Sequence, residues 1–148
     1  MKLVIQRVKK ASVKANQKLV GKIGKGLFVL VGVKKGDSLQ DAEALAVKLA
    51  KLRAMADEKG KMNLTANEFL VVSQFTLYAD TKGGNRPSFM KAALPDEAKK
   101  IYEYFVDKLK SGLPPRSPKG RRVETGIFGD YMEITSVLDG PVTIILES

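Results

Sequence analysis

Ser73, Gln74, Phe75 and Thr76 are consecutive, and Tyr78 follows closely, so three hydroxyls and a carboxamide crowd into one short stretch. A hydroxyl in such a cluster suits acyl transfer as a nucleophile only when a base removes its proton. The chain contains no histidine and no cysteine, which excludes a Ser-His-Asp triad, a thiolate nucleophile, a disulfide and a Cys/His zinc site within one chain. Asp57 and Glu58 are adjacent in a polar turn, a poor arrangement for two carboxylates sharing acid and base roles. No lysine is singled out by its spacing as a partner for the serine. Gly21 to Gly26, "GKIGKG", lacks the Gly-Lys-Ser/Thr step of a phosphate-binding loop, so its glycines read as turns. Carboxylates, lysines, hydroxyls and backbone dipoles remain, and they point to a site built largely from backbone.

A second stretch, "VLDGPVTIILES", sets Asp139-Gly140-Pro141 between two apolar runs. Asp-Gly in that setting predicts a tight hairpin, with Pro141 opening the returning strand, where a missing N–H does no harm. Arg7 shares the face of Leu3 and Ile5 by alternation. It either ends the buried part of its strand or points at something specific.

The elements that must position these residues follow from pattern. The 148 residues, 44% of them apolar, suit one domain, residues 1–148, with a substantial core. Strands are expected over residues 2–8, 11–15, 18–23 and 26–33, the last apolar enough to be buried on both faces. Ser38 and Asp41 resemble a capping box, followed by leucines at helical spacing, so a helix is expected over about residues 38–55. A buried strand begins the segment 68–80, an exposed loop spans 81–89, and a second helix runs over about residues 95–110. Two final strands, 132–138 and 141–146, complete a mixed α/β domain.

Lys and Arg number 26 against 16 Asp and Glu, a formal charge of +10 that attracts a polyanion or simply serves solubility. Residues 113–122 form a basic, proline-rich loop, suited either to tracking phosphates or to solvation. No apolar run is long enough for a membrane span and residues 1–7 reach polar positions too early to be a signal peptide, so a cytoplasmic location is expected.

"QRVKKASV" near the start, "VVSQFTLYAD", "RPSF", "VETGIFGDYM" and "DGPVT", in that order along nearly the whole chain, resemble the D-aminoacyl-tRNA deacylase family. The resemblance implies a three-layer α/β/β fold with two main helices and antiparallel-rich sheets. It implies hydrolysis of the ester of D-aminoacyl-tRNA without a cofactor or metal, in a homodimer whose partner is the aminoacylated 3′ end of tRNA. Ser73, Gln74, Phe75 and Thr76 would form the catalytic strand. The backbone N–H groups near Gln74 and Phe75 would be oxyanion donors, with Thr76 shaping the site. Gly140 and Pro141, joined by a cis peptide and steadied by Arg7, would enter the partner's site and exclude an L side chain. Phe128 and Met132 would line the terminal-adenosine pocket, with Phe89, Ala92, Val142 and Thr143 beside the substrate. A filter that rejects a Cβ cannot reject glycine, so glycyl-tRNA is an expected substrate. Leu138, Met90 and the proline-rich stretch depart from the family pattern. The competing readings are a tRNA-binding module without turnover and a trans Gly-Pro relative that edits a small L-aminoacyl group.

Overall fold

The computed structural model describes residues 1–111 and 121–148, so most of the basic loop 113–122 lies outside the described residues. Strand β1 (Lys2–Ala15) organises the fold, because three other strands pair with it. Its first half pairs antiparallel with β3 (Gly26–Gly32), its second half with β2 (Lys18–Ile23), and β8 (Met132–Glu147) runs antiparallel along both halves. β6 (Glu68–Ser73) continues the sheet parallel to β3, and β7 (Arg122–Thr125) lies parallel to β6. A two-stranded ribbon, β4 (Met55–Ala56) with β5 (Met62–Leu64), stands apart from this sheet.

The expected strands 2–8 and 11–15 are one strand, whose buried face changes sides partway along. Leu3 and Ile5 pack with Leu27, Val29, Val31, Phe69 and Val71 under the helices. Val8, Ala11 and Val13 pack instead with Ile23, Phe28, Leu70 and Val72. One continuous sheet thus supplies two layers, and the helices supply the third. The α/β/β arrangement is built by a sheet turning over on itself.

Helix α1 (Leu39–Lys51) begins with the Ser38–Asp41 capping box and buries Ala42, Leu45, Ala46, Leu49 and Ala50. It stops short of Met55 because Leu52 turns extended and Met55 pairs with Leu64 instead. Helix α2 (Pro95–Ser111) buries Ile101, Tyr102, Phe105, Val106 and Leu109. Glu43 joins the two helices, accepting from Tyr104 Oη at 2.9 Å and from Lys108 Nζ at 2.9 Å.

The hairpin expected at Asp139-Gly140-Pro141 does not form. β8 runs through it as one 16-residue strand, so the two expected final strands are a single element. The reason is the length of β1, which offers pairing groups on both sides of the interruption. Gln6 pairs with Thr143 and Val8 with Leu138, leaving residues 139–142 to bulge opposite Arg7 alone. Within the bulge the Gly140–Pro141 peptide is cis and Gly140 has φ +141°, a region that favours glycine.

Candidate functional site

Strand β6 ends at Ser73, and the chain tightens into a 3₁₀ turn over Phe75–Tyr78, earlier than a strand across 68–80 requires. Val31, in the neighbouring β3, explains the break: its carbonyl accepts the Gln74 N–H at 2.7 Å, the last bond before the chain turns. Gln74 is therefore not a free oxyanion donor, a correction to the expectation from sequence. The N–H groups of Phe75 and Thr76, at the start of the turn, have no acceptor among the described residues. They form an unengaged pair of backbone donors.

The side chains here are not arranged for nucleophilic attack. Gln74 Nε2 donates to Thr76 Oγ1 at 2.5 Å, so the threonine hydroxyl accepts a hydrogen bond and meets no base. Ser73 makes no side-chain hydrogen bond to a carboxylate or amine among the described residues, and nothing positions it as an activated nucleophile.

A cavity of about 940 Å³ opens beside this turn. Ser73, Gln74, Phe75, Phe89, Ala92, Phe128 and Met132 all line it, although they come from β6, the 81–92 region and the approach to β8. Phe75 and Phe89 meet edge-to-face with ring centroids 4.9 Å apart, and Phe128 tilts against Tyr102 at 5.7 Å. Tyr102 Oη donates to the Val71 carbonyl at 3.0 Å, tying α2 to the strand that carries the turn. Burial, with a smaller contribution from Glu103, pushes its phenol well above the ordinary tyrosine range. Met132 lies over Gly126, where any Cβ would overlap its sulfur.

The loop on the far wall is pinned to the turn. Asp80 and Ser88 bridge through their backbones, and Lys91 Nζ lies 2.7 Å from Asp80 Oδ2. That ammonium, with the Lys82 N–H, holds the Asp80 carboxyl below its ordinary value. Among the described residues no group of carboxylates is gathered closely enough to hold a metal ion.

Thr76 adjoins the cavity without lining it, and Arg7, Gly140, Pro141, Val142 and Thr143 lie outside it. Arg7 serves the bulge from behind. Its Nε donates to the Asp139 carbonyl at 3.0 Å and lies 3.2 Å from Asp139 Oδ2, while Nη1 donates to the Ala54 carbonyl at 3.1 Å. Its hydrogen bonds reach the residue before Gly140, and none goes to the Gly140 or Pro141 carbonyl. Gly140, Pro141 and Thr143 are exposed, and Val142 is half-buried. Lys35, Met90, Leu94, Asp130 and Tyr131 also line the cavity, and sequence reasoning did not assign them there. Tyr131, 86% exposed, follows Phe128 and precedes Met132 in the same "IFGDYM" stretch, and that adjacency was the signal that could have found it.

Comparison with known proteins agrees across the chain. The model of the family described as D-Tyr-tRNA(Tyr) deacylase matches residues 4–147. A D-aminoacyl-tRNA deacylase of Thermosipho melanesiensis is 49% identical, covering 100% of this chain and 97% of the relative. That of Clostridium acetobutylicum is 45% identical with the same coverage. Among solved structures, the c-Myc DNA Unwinding Element Binding Protein superposes with a TM-score of 0.89 at 37% identity, covering 100% of this chain and 99% of that one. A probable eukaryotic D-amino acid tRNA deacylase, at TM-score 0.79 and 17% identity over 98% and 97% of the two chains, shares the fold. Matches of this extent define a hydrolase by class. The chain belongs to the D-Tyr-tRNA(Tyr) deacylase family.

Proposed function

We propose that this protein hydrolyses the ester of D-aminoacyl-tRNA, releasing the D-amino acid and free tRNA. The observation that carries the reading is the unengaged pair of N–H groups on Phe75 and Thr76 beside an aromatic-lined cavity in a chain of this family. Water adds to the ester carbonyl and the oxyanion forms against those two donors. The carbon–oxygen bond to the ribose then breaks, and the leaving 3′-oxygen takes its proton from the neighbouring 2′-hydroxyl, which is re-protonated by the proton that the attacking water gives up. The electron-withdrawing ammonium of the substrate activates the ester, so positioning does most of the work and no imidazole is required. Phe128 and Met132 flank the terminal adenine, Phe89 and Ala92 the aminoacyl group, and Thr76 with Gln74 fixes the shape of the turn.

Selectivity is assigned to Gly140 and Pro141 of a second copy, flanked by Val142 and Thr143 and held from behind by Arg7. Backbone there excludes an L side chain and leaves glycine, which has no Cβ, as a substrate. The exposure of the bulge and its position outside its own cavity support action on a partner. β8 pairs only with β1 among the described residues and exposes Ile134, Val137, Leu138 and Ile145, an apolar edge suited to an isologous homodimer. Among the described residues no helix is long and apolar enough to cross a membrane. A tRNA substrate is met in the cytoplasm.

The test is deacylation of matched D-tyrosyl-, L-tyrosyl- and glycyl-tRNA by the purified protein. Loss of the D-tyrosyl and glycyl esters with the L-tyrosyl ester intact is the expected result. Resistance of glycyl-tRNA alone would overturn the exclusion filter, and firm tRNA binding without any cleavage would leave a binding module.

A further inference from the structure

The charge of this chain is unevenly distributed. Residues 1–36 hold ten of the 26 basic residues and none of the 16 acidic ones, so the remaining 112 residues are balanced and the whole formal charge of +10 belongs to the first three strands and their flanks. Lys2 and Arg7 are paired with Glu147 and Asp139. Lys9, Lys10, Lys14, Lys18, Lys22 and Lys25 are all exposed, and none forms an ion pair among the described residues.

Alternation concentrates them. Ala11, Val13 and Ala15 of β1 and Gly21 and Ile23 of β2 are buried, so Lys10, Lys14 and Lys22 project from the opposite face, with Lys22 paired across from Ser12. Among the described residues Glu133, the register partner of Lys14, and Glu68, which accepts the Gly24 N–H at the far end, bring carboxylates to the border of this face. A lysine face of this kind opposes its own copy in any twofold contact, since like charges would meet.

The face also begins where the cavity ends. Met132 and Ile134 line the cavity and are the register partners of Ala15 and Val13, and Lys14 lies between those two residues on the outward side. We propose that the outward face of β1 and β2 is the docking surface for the phosphate backbone of the tRNA acceptor stem, which continues from the 3′ end held in the cavity. The proposal rests on the tRNA-deacylase reading. Its chemistry is that of ammonium groups displacing counterions from phosphates, so it fixes the stem's position without reading its sequence.

The experiment compares the full-length protein with a triple variant, Lys10→Gln, Lys14→Gln and Lys22→Gln, and with a control of equal charge loss, Lys48→Gln, Lys59→Gln and Lys61→Gln. Binding of deacylated tRNA and of an acceptor-stem minihelix is measured from low to moderate salt, alongside hydrolysis of D-tyrosyl-tRNA and of 3′-O-D-tyrosyl-adenosine, which lacks the stem. The expected result for the first variant is a salt slope shallower by about two to three units. Its KM for D-tyrosyl-tRNA rises about tenfold or more, with kcat and adenosine-ester hydrolysis unchanged, and the minihelix shows the same loss as whole tRNA. The control variant stays close to the parent. An unchanged slope, an equal loss in the control, or a loss confined to whole tRNA would each overturn the proposal. A parent protein that fails to cleave the D-ester while the slope still falls would retire the catalytic reading and leave the docking surface standing.

Discussion

Arg7 is the residue whose removal tests the most geometry at once. It is 11% exposed and holds two carbonyls and a carboxylate, joining the β8 bulge at Asp139 to the segment after α1 at Ala54. Hydrogen bonds to a charged group contribute about 1.5–3 kcal/mol each, and breaking a largely buried pair strands the partner. The contacts share one guanidinium and do not add fully, so Arg7→Met is expected to cost about 3 kcal/mol. For a domain of this size that is roughly a 10 °C fall in Tm, read by differential scanning calorimetry. Arg7→Lys keeps the ion pair with Asp139, cannot span to Ala54, and should lose about half as much. A double-mutant cycle with Asp139→Asn should return a coupling of about 1 kcal/mol or more. With its anchor gone the bulge shifts, and displacements near 1 Å cost on the order of a hundredfold in positioned chemistry. The ratio of D- to L-tyrosyl-tRNA deacylation should therefore fall at least tenfold. An Arg7→Met protein that melts within about 2 °C of the parent and keeps its D/L ratio would refute this account of the bulge.

Gly140→Ala places a Cβ 2.8 Å from the Val142 nitrogen at φ +141°. About 1–3 kcal/mol of backbone strain should appear in denaturant unfolding together with weakened D/L discrimination, and an unchanged midpoint would show that no glycine is needed there. Tyr102→Phe removes the donor to Val71, whose carbonyl still accepts from Gly126 N–H, so the loss should stay near 1 kcal/mol. Equilibrium unfolding that shows a loss several times larger would mean the phenol does more than cap the strand. The Asp80 carboxyl is held below its ordinary value of 3.8 by Lys91. A depressed folded-state pKa stabilises above the unfolded value and is lost as pH falls through the folded one, so the loop should stay pinned at neutrality and loosen below about pH 4. Carboxyl carbon chemical shifts should follow this titration, and Lys91→Gln should raise its midpoint toward 3.8. A midpoint indifferent to Lys91 would remove the pair as its cause.

Local pattern was readable where local forces decide. The Ser38–Asp41 box placed the start of α1, an unbroken apolar run placed β3, and the strand pattern placed β2 and, in two pieces, β1. It failed where a distant partner decides. Asp-Gly carries a hairpin signal at short range, yet β1, more than a hundred residues earlier, offers pairing groups on both sides of the bulge and keeps β8 a single strand. Gln74 reads as a free donor until Val31 claims its N–H. The site differs again: composition eliminated imidazole and thiolate chemistry, but only the family resemblance brought Phe89, Ala92, Phe128 and Met132 together, because no spacing rule relates 81–92 to the approach to β8.

β1 leaves the ribosome more than a hundred residues before β8, and their register runs from Lys2 opposite Glu147 to Ala15 opposite Met132. The organising strand must therefore wait, one edge open, until β8 has been made. Such pairing has a very high contact order, which slows folding and prolongs exposure of an unpaired edge. The lysines along β1 and β2 are then also gatekeepers, since an exposed strand that repels its own copies is poorly suited to aggregate while its partner is still being made.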